Sequence, residues 1–124
     1  MVADYLIFNS RDEILRVKIQ NVVYFESEGN YTSMVTVNKL RPTVCMNLAH
    51  MEQLLAEQLG ERRVMFVRVG RRYIVNMNFL HTITPAKQRL VLSDTSTFAY
   101  QLEVSKDALI KMKQLVVKLN TKRK

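Results

Sequence analysis

Phe66-Val67-Arg68-Val69-Gly70-Arg71-Arg72-Tyr73-Ile74-Val75-Asn76 is the stretch on which the fold reading turns. Apolar residues of strand-forming type (Phe66, Val67, Val69, Tyr73, Ile74, Val75) surround three arginines that fall within five residues. Gly70 lacks a Cβ and can take a positive φ, so the chain can reverse there without strain. The spacing predicts a strand ending near Arg68, a tight loop presenting Arg71 and Arg72, and a second strand directly after it. Arginines raised on a short loop between rigid strands suit phosphates and the acceptor edge of guanine. A solvated hairpin tip would carry the same Arg-Arg pair, so the rest of the chain has to decide.

Upstream of this hairpin the pattern is helical. Leu48, Met51, Leu54, Leu55 and Leu59 recur at helical spacing, with Glu52, Gln53, Glu57 and Gln58 on the wet face. Asn47 is placed as the N-cap, Met46 and Met51 as a hydrophobic staple across it, and Gly60 as the stop. Before the helix the periodicity is that of strands. Tyr5–Asn9 is a short apolar run, and Glu13–Ile19 alternates Leu15, Val17 and Ile19 against Arg16 and Lys18. Val22–Ser27 and Tyr31–Val37 flank the turn Glu28-Gly29-Asn30 and predict a hairpin. Leu40–Met46 is strand-like, and Pro42, which cannot donate to a ladder, assigns it to a sheet edge.

Downstream, Phe79–Thr84 reads as a strand and Pro85-Ala86-Lys87-Gln88 as a turn. Arg89–Ser93 and Thr97–Val104 form a last hairpin around Asp94-Thr95-Ser96. Ser105 caps a final helix carrying Leu109, Met112, Val116 and Leu119 along one side, with Val104 and Leu109 as its staple. The polar tail Asn120–Lys124 is expected to fray. About nine or ten short strands with one central and one C-terminal helix make a mainly β domain, a sandwich or several small packed sheets.

Composition limits the partners. The 124 residues make one domain, long enough to bury roughly two-thirds of the unfolded surface. The formal net charge of +8 favours a polyanion: DNA, RNA or an anionic membrane surface. Cys45 is the only cysteine, which excludes a disulfide framework and a thiolate metal cluster and fits a reducing, cytoplasmic setting. No apolar run is long enough to span a bilayer, and the first residues do not form a signal peptide.

Catalytic chemistry has little to stand on. His50 and His81 have no carboxylate or cysteine at ligand spacing and read as ordinary structural or surface histidines. Cys45 reads as a small core residue. Glu26 and Glu28 share a face of one strand without a pocket signature beside them. No glycine loop cradles a phosphate, and no cofactor or metal is implied. Basic loops remain: Asn30-Tyr31-Thr32 after one turn, Arg71-Arg72 in the second, Lys87 and Arg89 flanking a third, and Lys106 opening the last helix, where free N–H groups favour a phosphate.

Tyr24-Phe25-Glu26-Ser27-Glu28-Gly29-Asn30-Tyr31, the helix, the Phe66–Asn76 stretch and Val104-Ser105-Lys106 together resemble the landmarks of LytTR DNA-binding domains, in that family's order and spacing. The resemblance runs from about Asp4 to Lys118. It implies an elongated, sandwich-like arrangement of three small antiparallel sheets with a short helix, the output domain of bacterial response regulators in two-component systems. It also implies binding of double-stranded DNA, with loops entering successive major grooves, and no enzymatic activity. Carried over by position, Thr32, Arg71 and Lys106 match base-contacting places, while Asn30, Arg72, Lys87 and Arg89 are candidates for neighbouring phosphates. Arg68 and Asn76 belong to the motif and are expected to satisfy backbone groups. Gly70 stands where most members have histidine, Arg72 where they have a small polar residue, and Lys106 where arginine is usual.

The expectation is therefore one LytTR-like DNA-binding domain, 1–124, with its core at about 4–118 and a flexible basic tail at 120–124. Nothing before Tyr5 has the makings of a phosphoacceptor receiver, so the chain is either a stand-alone regulator or a shortened one. Two copies side by side on a repeated site would suit it. Two other readings compete. A β-rich module for single-stranded nucleic acid would use Tyr31, Tyr73 or Tyr100 as stacking platforms. A protein-interaction domain would carry its basic face for solubility alone.

Overall fold

Ten short strands and two helices organise residues 5–122, the part of the chain described by this computed structural model. The strands form three antiparallel sheets of two, three and five strands. Backbone proximity divides the chain into a first unit, Met1–Met77, and a second, Asn78–Lys124.

In the first unit β1 (Tyr5–Asn9) pairs with β2 (Ile14–Lys18). The five-stranded sheet contains β3 (Val22–Glu28), β4 (Tyr31–Thr36), β5 (Thr43–Val44), β6 (Phe66–Val69) and β7 (Tyr73–Asn76), in the order β5-β4-β3-β7-β6. Register puts Phe25 opposite both Met34 and Ile74, so the three project from one face. Helix α1 (Leu48–Leu59) packs Leu48, Met51, Leu55 and Leu59 into the same cluster, which Leu6, Phe8, Val17 and Ile19 complete. The Asn47 side chain accepts from His50 N at 2.8 Å, as an N-cap should, and Gly60 leaves the helix at φ 58°. Gln58, read from periodicity as facing water, instead clamps the β1 backbone. It accepts from Ile7 N at 2.9 Å and donates to Ile7 O at 2.8 Å.

Strand boundaries fall within a residue or two of expectation except at 40–46. Only Thr43–Val44 are strand there, at the sheet edge as Pro42 required. Cys45 lies beyond that short strand and is exposed, not in the core. Periodicity misplaced it because the segment bends toward α1 after only two ladder pairs, Ser33 with Thr43 and Thr32 with Val44.

In the second unit β8 (Leu80–Thr84), β9 (Arg89–Ser93) and β10 (Ala99–Glu103) form the sheet, with β9 central. Leu90, Leu92, Leu102, Leu109 and Met112 are buried. Helix α2 (Lys106–Lys122) opens with Ser105 Oγ accepting from Ala108 N at 3.3 Å. The helix runs to Lys122, so three of the five residues expected to fray continue it, and 123–124 lie outside the described residues.

The β9–β10 turn hangs on Asp94, whose Oδ1 accepts from the N–H groups of Ser96, Thr97 and Phe98 at 2.9, 2.7 and 3.1 Å. The Thr97 hydroxyl donates to its other oxygen. That hydroxyl, with the three N–H groups, holds the carboxyl well below the usual carboxylate range. A depressed folded-state pKa stabilises above the unfolded value of about 4 and is lost as pH falls through that value toward the folded one. Wild type should therefore lose more stability between about pH 6 and about pH 3 than Asp94→Asn does. Urea melts across that range check it, and parallel losses would remove the role assigned to this carboxylate.

Candidate nucleic-acid interface

The β6–β7 hairpin is built as its sequence required. Val69 pairs with Tyr73, and Gly70 at φ 62° opens a three-residue loop, Gly70-Arg71-Arg72. Its three arginines have different fates. Arg68 donates to Glu52 Oε1 on α1 at 2.7 Å and reaches back to the carbonyls of Gly70 at 3.3 Å and Arg71 at 3.2 Å. It braces the loop from beneath. Arg72 donates to Glu26, and its guanidinium lies 5.4 Å from the Tyr73 ring centre. Arg71 is exposed, and no hydrogen bond or ion pair engages its side chain among the described residues.

Glu26 is the anchor of this end of the sheet. Its side chain is 13% exposed and accepts from Arg41 at 2.7 Å as well as from Arg72. Arg41 also bonds the Tyr24 hydroxyl, which burial drives above its ordinary pKa. Sequence reading noted Glu26 as half of a carboxylate pair with Glu28 and as part of the first motif, with no role of its own. The register that brings Arg72 beside it had no local signal.

That register also gathers two tips. Glu26 lies opposite Tyr73, and Ser27 N donates to the Arg72 carbonyl at 2.8 Å. β3 therefore runs out at the end of the sheet where β7 begins, so the Glu28–Tyr31 turn and the Arg71 loop share one end. Asn30 is exposed there, with Tyr31 beside it. Asn76 closes β7 from within, fully buried, its amide donating to Val22 O at 2.8 Å. Arg68 and Asn76 thus both serve backbone carbonyls, as their flanking residues suggested.

In the second unit Gln88 adopts φ 52° at the end of the Pro85–Lys87 turn, and its carbonyl accepts from Val104 N at 3.0 Å. This bond ties that turn to the entry of α2. Exposed Lys87, Arg89 and Lys106 are thereby grouped within this unit. Among the described residues no group of three or more His, Cys, Asp or Glu could hold a metal ion.

The model of the LytTr DNA-binding domain matches residues 12–117. The chain belongs to the LytTR DNA-binding domain family. A solved structure, a LytTr DNA-binding domain of a response regulator from Bacillus cereus, is similar at a TM-score of 0.64 and 23% identity. The match covers 92% of this chain and 97% of that one. At that identity the likeness speaks for the fold. No curated protein sequence matches the chain. Family membership makes it a DNA-binding output domain of a transcription regulator and not an enzyme.

One expectation about the LytTR interface needs correction. Thr32, matched to a base-contacting place, is fully buried, and its hydroxyl donates to Met46 O at 2.7 Å. It pairs with Val44 across β4–β5, and the chain folds over it on the way into α1. The place of Thr32 just after a turn did not show that both faces of β4 are covered. Of the tyrosines named as stacking platforms, Tyr73 is buried, at 6% exposure. Tyr31 is 50% exposed because it stands at the open tip of its hairpin.

Proposed function

We propose that this LytTR domain binds double-stranded DNA sequence-specifically in the bacterial cytoplasm, with Arg71 reading a base edge. One observation carries the reading: of three arginines in the hairpin, Arg68 and Arg72 are tied to carboxylates and Arg71 alone points unengaged from a braced loop. A guanidinium held on a rigid support and not already paired has all its donors available for guanine O6 and N7. Asn30 and Arg72, at the same end of the sheet, take adjacent phosphates. Lys106, at the first turn of α2, is the second unit's candidate for a base, with Lys87 and Arg89 on phosphates. Two copies would occupy a repeated site side by side. Selection from random duplexes with the purified chain tests this, the expected result being one enriched motif; recovery at background would end it.

The charge of +8 and these loops give an expected salt response. With about four to seven phosphate contacts, log affinity should fall against log salt with a slope of roughly −4 to −6. Titrations at several salt concentrations measure it, and a near-flat line would leave no electrostatic role for the loops.

Exposed Tyr31 beside Asn30 supports a second reading, binding of single strands by stacking. Tyr73, another of the platforms that reading offered, is buried. Duplex should therefore be preferred when matched single- and double-stranded oligonucleotides are titrated, and tighter single-strand binding would reverse the order of the two readings.

A further inference from the structure

An open groove of about 670 Å³ runs within the second unit between the Pro85–Lys87 turn and one side of α2. Its floor is apolar: Pro85, Ala86, Ile110 and Val117. Ile110 is 37% and Val117 59% exposed, whereas Leu109 and Met112, on the adjoining stripe of the helix, are buried. The helix thus carries a second apolar stripe beyond the one its own unit covers. Lys106, Lys113 and Lys118 line the same groove, and among the described residues no carboxylate does. Lys106, Ile110, Lys113 and Val117 advance by four, three and four residues, so they share one helical face. From Lys106 to Lys118 that face is roughly 18 Å long, about three turns.

We propose that this groove docks an acidic amphipathic helix of a partner protein. An apolar stripe would settle on Ile110 and Val117, and flanking carboxylates would meet the three lysines. Charge complementarity selects this occupant. A second copy of α2 would set lysine against lysine. A nucleic-acid backbone finds lysines but has no use for an apolar floor. A small molecule would be poorly enclosed, since ligand sites cover roughly 70–90% of their ligand and this groove is open along its length. The inference concerns a surface that the DNA reading does not use, apart from Lys106 at its end.

The probe is a synthetic 16-residue helical peptide with leucines at i, i+3, i+4 and i+7 spacing and glutamates elsewhere. A scrambled peptide of the same composition and a glutamate-to-lysine version are the controls. Titrated into the isotope-labelled full chain, the acidic helix should shift the amides of Ala86 and Lys87 and those within 106–118. Ile110→Asp should weaken it roughly tenfold or more while leaving duplex affinity within about twofold. Lys113→Glu with Lys118→Glu should weaken it as well, which tests the charged half should Ile110→Asp disturb the helix. Three results would overturn the proposal. The scrambled peptide binds equally well; the acidic helix shifts the Gly70–Arg72 loop instead of α2, or shifts nothing; or Ile110→Asp lowers duplex affinity as much as peptide affinity, which would make the groove part of the DNA face.

Discussion

Arg71→Ala is expected to weaken the specific duplex by roughly 5- to 150-fold while random-sequence duplex is much less affected. A bidentate arginine–guanine pair contributes about 1–3 kcal/mol of discrimination, and that range sets the fold-change. The loop itself should survive. Arg68 bonds the carbonyls of Gly70 and Arg71, not the Arg71 side chain, so truncation removes no brace. An exposed loop side chain of this kind changes stability by less than about 0.5 kcal/mol. Lys39→Ala is the control: it is basic, exposed and at a turn outside the motif. Specific and random duplexes should both be titrated at one salt concentration. Equal, small losses for the two variants would mean that Arg71 supplies charge alone, and the base-reading role would fall.

The second large effect lies in the core. Phe25 is fully buried, meets Phe66 edge-to-face at 5.4 Å between ring centres, and sits between Met34 and Ile74 in the ladder. Its ring joins the central strand of the first unit to α1 across the buried cluster. Phe25→Ala removes that ring and leaves a cavity that neighbouring strands cannot close, for a loss of about 3–5 kcal/mol. In urea the midpoint should fall by roughly 2 M or more. Val64→Ala, at a side chain 74% exposed, should move it by less than about 0.5 kcal/mol. A loss below about 1 kcal/mol for Phe25→Ala would contradict the packing described around β3. DNA affinity should fall with it, because β3 carries Glu26, the anchor of the Arg72 side of the loop.

Much of the architecture was legible in local pattern. Gly70 between two β-branched and aromatic runs forces a reversal, and the structure places it at φ 62°. Asn47 ahead of Leu48, Met51, Leu55 and Leu59 makes a capped helix with one dry face, and those four are its buried residues. Ser105 before α2 is of the same kind. Each rests on forces acting within a turn or two of chain, so a sequence displays them directly. Length misled where local pattern was weak, at the bent edge around Cys45 and at the end of α2, which continues to Lys122.

Which strands neighbour each other was not legible. β3 pairs with β7 about fifty residues away, and that pairing alone brings the Asn30 and Arg71 tips to one end of the sheet. Side-chain alternation assigns faces but not what covers them, and Thr32, carried over by position as a base contact, lies under Met46. The three hairpin arginines are the clearest case. Sequence established that a basic loop stands between two strands. Only the fold, by delivering Glu52 from sixteen residues away and Glu26 from forty-six, decided that Arg68 and Arg72 are tied and Arg71 is not. Ion pairs depend on distance in space, and spacing along the chain does not contain it.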